Sequence, residues 1–274
     1  MQLHLQQVPA RNGRLWIRHG FKVFQRQPLA LAGLLGLFLF AGFVSLLVPF
    51  VGPFLLMASL PLLSLGFMLA THLVLQKKSP NAGVFVAPLK LTPERRRSQL
   101  LLCFGYAAAV LIVGLVADTV DGGSTRELQR LFAEGAEANA DAIVQAMADP
   151  RLMWGMFTRL GLLGLLSVPY WHAPALVHWG GQGVGQALFS STLALWRNKS
   201  AFALNALLWG VLSISIMSTV SLLFSLLGLA QVGTMALMTI SLLMGTVFYA
   251  SLYFTFVDCF MFGAPQNLLD DKTD

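Results

Sequence analysis

Six long runs of apolar residues, separated by polar loops, organise this chain. They predict membrane-spanning helices at about 28–49, 52–75, 98–117, 153–176, 200–226 and 232–258. Backbone amides in hydrocarbon must be satisfied within the protein, which leaves only helices or a closed barrel. None of the runs alternates with period two, so a barrel is rejected and the expected class is all-α, a polytopic helical membrane protein. The turn from Pro49 to Pro53 separates the first two spans, and Gly228 and Gly233 bracket the turn between the last two. Both turns are short and uncharged, as in tight helical hairpins.

The longer loops alternate in charge. Residues 76–97 carry Lys77, Lys78, Lys90, Arg95, Arg96 and Arg97 against Glu94 alone. Residues 118–152 carry Asp118, Asp121, Glu127, Glu134, Glu137, Asp141 and Asp149 against Arg126, Arg130 and Arg151. Residues 177–199 carry Arg197 and Lys199 with no acid. Counting alternate loops puts 14 basic residues on one side and 3 on the other, with Arg159 inside a span. Lysine and arginine excess marks the cytoplasmic face, so the expected topology is N-in and C-in. The acidic loop 118–152 then lies outside, and residues 261–274 form a cytoplasmic tail.

Residues 1–27 read as a cytoplasmic interfacial segment. Arg14, Arg18, Lys22 and Arg26 recur every four residues along one stripe, with Trp16, Gly20, Phe21 and Phe24 on another side. Such a helix is expected in the headgroup plane, its aromatics in the acyl chains and its four cations on anionic headgroups. Pro28 suits the junction to the first span. An acid-poor, arginine-rich start also fits an organelle transit peptide, but the apolar run from Leu29 to Phe50 is long for a cleaved signal and reads as an uncleaved anchor. A weaker copy of this junction precedes span five, where Arg26, Ala30 and Ala32 fall on Arg197, Ala201 and Ala203, leaving internal duplication open. In the outer loop, Ser124 followed by Glu127 fits a capping box. It opens a helix with a partial apolar stripe (Leu128, Leu131, Phe132, Ile143, Met147), which Gly135 weakens and Pro150 ends.

Composition agrees with a bilayer as solvent: 56% of residues are hydrophobic, 11% are charged and mean hydropathy is +0.70. A soluble domain carries about 25% charged residues. The net charge of +6 sits beside the spans, which points to anionic lipid and not to nucleic acid. Cys103 and Cys259 lie within or at the end of spans, without metal-ligand spacing or a disulfide framework.

The segment Gly20–Leu31 (GFKVFQRQPLAL), the run from Ala173 to Val177, and Ala187, Ser191, Trp196, Arg197 and Asn198 together resemble a proteobacterial family of uncharacterised six-helix inner-membrane proteins. That family is similar in layout to the membrane domain accompanying some glycerophosphodiester phosphodiesterases. The resemblance covers roughly residues 8–260. It implies six spans and an inner-membrane location, but supplies no active-site motif and no counterpart of a phosphodiesterase catalytic domain.

Candidate chemistry is sparse. No zincin, nucleophile-elbow or paired-cysteine motif occurs, so no catalytic, cofactor or metal residues are expected. The glycines between Gly180 and Gly185 lack a preceding strand and a P-loop lysine, and read as a joint. His72, His172 and Asp258 fall at one depth near the inner leaflet and form the candidate polar site, with Tyr170, Tyr249 and Tyr253 slightly deeper. Arg159 is expected to reach outward to Asp149 or Asp118. Spans five and six are rich in serine and threonine, which suits close helix packing. Two functional classes follow. One is a non-catalytic membrane component packing against lipids or partner proteins; the other is an oligomeric channel or transporter for a small solute, ion or lipid. A water-filled cavity reaching the midplane would favour the second, and a fully packed bundle the first.

Overall fold

The computed structural model describes residues 4–135 and 139–260, and the expected tail at 261–274 lies outside them. The described residues form helices α1 (Asn12–Arg26), α2 (Pro28–Ser45), α3 (Val51–Leu75), α4 (Gly83–Val86), α5 (Pro93–Asp121), α6 (Ser124–Gly135), α7 (Ala140–Met147), α8 (Pro150–Tyr170), α9 (Ala173–Gly180), α10 (Val184–Arg197), α11 (Lys199–Leu226) and α12 (Ala230–Phe260). Six segments are long and apolar enough to cross a bilayer: α2, α3, α5, α8 continuing into α9, α11 and α12. The chain is an all-α, multi-pass integral membrane protein.

Three spans differ from their expected form, the third because α5 runs from Pro93 to Asp121 where 98–117 was expected. The first helix stops at Ser45, short of residue 49, because Phe50 turns the chain at φ 62° and Gly52 packs directly onto Ser45. A Cβ at Gly52 would stand 1.8 Å from the Ser45 carbonyl oxygen, so the hairpin closes only with glycine there. The fourth span is broken between Tyr170 and Ala173. Pro169 lacks an N–H for the helical ladder, and the hydroxyl of Ser191 from α10 enters the gap. It donates to the Val168 carbonyl and accepts from the His172 amide, each at 3.0 Å. Those two backbone groups are four residues apart and would otherwise bond each other.

The aromatic side of α1 is turned to protein and not to acyl chains: Trp16 packs on Phe202 and Phe21 on Trp209. The helix packs across α11 and α12, with Trp16, Ile17 and Val23 buried in the protein. Two glycines set this contact. A Cβ at Gly13 would meet the Ala201 carbonyl oxygen at 2.3 Å, and one at Gly20 would meet Ser251 Cβ and the Val247 oxygen at 2.9 Å. Arg14, Arg18 and Arg26 stay exposed and Lys22 is half-buried, so the basic stripe faces away from the bundle. Ahead of α1, an extended segment is pinned beneath it. The Gln6 amide donates to the Cys259 carbonyl at 2.8 Å, and Asn198 accepts from the Val8 amide at 2.8 Å while donating to the Gln6 carbonyl at 3.0 Å.

Packing is uneven along the spans, between the end that carries α1, inner under the expected topology, and the end that carries α6 and α7, outer under it. The inner half holds a dense core in which Trp16, Leu65, Phe67, Met68, Leu176, Phe254 and Phe256 are fully buried. The inner loop adds to it, since Phe85 packs against Phe67 and Phe38. The outer half opens. Half of the most apolar eighteen residues of α3 are buried in the protein, against 6% for α11. Leu207, Val211, Ile214, Leu222, Leu223 and Leu226 of α11 instead face outward.

The outer loop is two helices, divided at Gly135, where φ is 121°. The capping box does not form. Ser124 donates to the Asp121 carbonyl and to Asp149, and Asp121 does the capping, accepting from the Gly123 amide and the Thr125 hydroxyl. Leu131 and Ile143 are buried, whereas Phe132 and Met147 are exposed.

Candidate functional site

His72, His172 and Asp258 each meet a different part of α12 and its neighbours. His72 shares a hydrogen bond with the Tyr253 hydroxyl at 2.9 Å and another with Gln76 at 2.9 Å. His172 is fully buried, and its Nε2 shares a hydrogen bond with Thr255 at 3.1 Å. Phe202, Phe256 and Phe260 enclose its ring. Asp258 accepts from Asn12 and from the Trp16 indole, both at 2.8 Å. At about 100° per residue, positions 255 and 258 lie within about 60° of each other on one side of α12, and 253 lies on the other side. The three residues share a depth but are arranged around one helix, each in a separate packing contact.

Arg159 reaches Asp118, one of its two expected partners, at 2.7 Å. Asp118 also accepts from Arg126, so one carboxylate ties α5 to both α6 and α8. At the inner interface, α10 buries Ala187, Ser191 and Ala194 and leaves Trp196 exposed, with the Lys199 ammonium 5.2 Å from its ring. The glycine-rich segment joins α9 to α10, in line with its reading as a joint.

A concave site lies elsewhere in the bundle. Where α3, α5, α8 and α12 diverge, Ser64, Tyr106, Ser167, Tyr170, Trp171 and Tyr249 help to line a recess of about 160 Å³. Pro61 lies in its wall; it frees one carbonyl of α3, and the Ser64 hydroxyl donates to the carbonyl of Pro61 itself. Tyr106 and Tyr170 meet edge to face at 5.0 Å, and Tyr249 packs on Phe67 and Phe248. Both serine hydroxyls are spent on their own helices, Ser64 on Pro61 and Ser167 on Gly164. The hydroxyls of Tyr106, Tyr170 and Tyr249 donate to no described residue. A phenol can donate one proton, so these groups are available to an acceptor that enters the recess.

Ser64 and Tyr249 each lie eleven residues from the inner ends of their helices, or about 16 Å at 1.5 Å per residue. A hydrocarbon core is about 30 Å thick, so the recess lies deep within the spans. An apolar groove of about 850 Å³ between α2, α3 and α12 adjoins it, the two sharing Leu60 and Tyr249. The groove is lined by Leu35, Phe38, Leu39, Met57, Leu63 and Met238, among others. Among the described residues, no group of three or more His, Cys, Asp or Glu side chains could hold a metal ion.

Comparison with known proteins gives one informative likeness. The chain is 29% identical over 272 residues to a probable inner membrane protein of Burkholderia thailandensis, covering 96% of this chain and 97% of that protein. No protein-family profile matches the chain, and no solved structure matches it. The likeness therefore spans nearly the whole of both chains.

The tyrosines were visible in the sequence as residues slightly deeper than the histidines. Their spacing carried no sign that Tyr106, on a different span, would join Tyr170 and Tyr249. Only the divergence of four helices brings them together.

Proposed function

We propose that this protein is a non-catalytic inner-membrane protein, N-in and C-in, that accommodates membrane lipid within its splayed outer half. The observation behind this reading is the contrast between an inner half filled by Phe67, Phe254 and Phe256 and an outer half with a large apolar groove beside α3. A transport pathway would have to pass that inner core, and on α12 the hydroxyls of Thr239, Ser241 and Thr246 are spent on their own helix backbone, as is that of Thr219 on α11. A packed inner half that closes the cytoplasmic side and a groove lined by leucine and methionine suit acyl chains better than a hydrated solute.

In this reading Arg14, Arg18, Lys22 and Arg26 face anionic headgroups of the cytoplasmic leaflet, while the exposed face of α11 meets lipid, a second copy or a membrane partner. The inner-membrane assignment is supported by the relative from Burkholderia thailandensis and by the basic bias of the loops. The layout is akin to the membrane domain that accompanies some glycerophosphodiester phosphodiesterases. Native mass spectrometry of the full chain from mild detergent tests the proposal. Retained lipid is expected, and Leu60→Trp, which fills the boundary between groove and recess, should reduce it. A protein that emerges free of lipid, or retention unchanged by that substitution, would overturn the reading.

A further inference from the structure

The recess is more selective than the groove beside it. We propose that it receives the neutral, carbonyl-bearing head of a membrane amphiphile whose tail lies in the adjoining groove; this rests on the lipid-accommodating reading above. Three features of the lining define the ligand class. No charged side chain lines the recess, which disfavours a phosphate or an ammonium there. Its uncommitted polar groups are phenolic hydroxyls from three different helices, Tyr106 of α5, Tyr170 of α8 and Tyr249 of α12. A phenol can donate its proton to a carbonyl oxygen, and these have no protein acceptor among the described residues. Trp171 and Phe248 complete an aromatic enclosure of about 160 Å³, close to the volume that admits a single six-membered ring.

A quinone ring and an acylglycerol ester share the required chemistry, a neutral carbonyl acceptor carried on a long apolar tail. The flat aromatic walls favour the ring. Binding would leave the tail running past Leu60 and Tyr249 into the apolar groove of about 850 Å³. No bond is made or broken, since the site offers hydrogen bonds and stacking only.

The chain has four tyrosines, so 3-fluorotyrosine labelling of the full protein in nanodiscs gives four fluorine signals. Three report the recess. The fourth, Tyr253, is bonded to His72 and serves as an internal reference. The labelled protein is titrated separately with decyl-benzoquinone, dioctanoylglycerol and carbonyl-free dodecylbenzene. One or both carbonyl probes should move the signals of Tyr106, Tyr170 and Tyr249, with Tyr253 still and dodecylbenzene without effect, and the active probe identifies the source of the carbonyl. Tyr106→Phe, Tyr170→Phe and Tyr249→Phe should each weaken that probe by about five- to tenfold, the range of one net hydrogen bond. Equal shifts with dodecylbenzene, movement of Tyr253 alongside the others, or affinities unchanged in all three variants would overturn the inference. Lipid retention in native mass spectrometry is read in parallel: retention without carbonyl discrimination sinks only this inference, whereas loss of both sinks the broader reading as well.

Discussion

The indole N–H of Trp16 donates to Asp258 Oδ2 at 2.8 Å, joining the first helix to the last turn of the last span across 242 residues of sequence. Asn12 donates to the same oxygen. The contact changes the meaning of Asp258, an acid at a membrane boundary that suggests a site from sequence alone. Its carboxylate instead fixes α1 beneath the bundle. Asp258→Ala should lower stability in detergent by about 1.5–3 kcal/mol, as expected for hydrogen bonds to a charged group. Asp258→Asn, which keeps an acceptor oxygen, should lose less. Thermal unfolding followed by circular dichroism tests this, and equal melting of all three proteins would refute it.

The α1 contact also rests on backbone proximity. Gly13→Leu and Gly20→Leu place side chains where carbonyl oxygens and Ser251 already stand. Each should undock α1 and expose Arg14 and Arg18 to limited trypsin digestion, while Arg14→Gln, on the exposed face, should leave protection of the rest of the helix intact. Wild-type resistance in both leucine variants would show that α1 packs differently.

Ser191 replaces one rung of a helix. Ser191→Ala should strand the Val168 carbonyl and the His172 amide, costing about 1–3 kcal/mol for each buried group left unpaired. Accelerated amide exchange confined to the α8–α9 break, with α3 and α5 unaffected, is the expected signature. Exchange identical to wild type would mean that the backbone closes the gap unaided.

Topology is tested with single cysteines in a background lacking Cys103 and Cys259, both of which are buried. Ser79→Cys should be protected from an impermeant reagent in intact cells and Gln145→Cys should react; both positions are exposed in the structure. The reverse pattern would invert every assignment of inner and outer face made above.

One acid offers a pH signature outside the membrane. The Arg151 amide and the Ser124 hydroxyl hold the Asp149 carboxylate below its ordinary value. A depressed folded value means that this cap is fully present above the ordinary carboxylate pKa of about 3.9 and is lost as pH falls through the lower folded value. The NMR shift of the Arg151 amide should therefore hold steady from neutrality down to about pH 4 and move only below it. A midpoint at or above the ordinary value, or a transition that persists in Asp149→Asn, would contradict this geometry.

Much of the architecture was legible because hydrocarbon thickness dictates helix length. The runs at 52–75, 200–226 and 232–258 became α3, α11 and α12 within two residues at each end. Breaks were harder to see. Pro169 and Pro174 lie in a continuous apolar run, and the hydroxyl that stabilises the break comes from Ser191, on another helix. The amphipathic pattern of α1 identified the face to be buried without naming what would bury it. Lipid and a helix pair make the same demand on Trp16, and the decisive signal was steric: Gly13 and Gly20, seven residues apart. His72, His172 and Asp258 show the limit of depth as evidence, because spacing along a helix fixes level while orientation depends on neighbours distant in sequence. The same limit hid the recess, whose three free hydroxyls come from three spans.

The pinning of Gln6, Val8, Asn12 and Trp16 to Asn198, Asp258 and Cys259 has a bearing on biogenesis. A segment made before all six spans finds its partners only when the last of them has been made. Until then α1 must wait at the membrane surface, its arginines and lysine the natural means of holding it there. The first span meanwhile buries little against its neighbours, with 17% of its apolar window covered even in the finished fold. Completion of α12 and seating of α1 become a single closing event, so a chain truncated before Asp258 would carry an unlatched amino terminus that quality-control proteases could recognise.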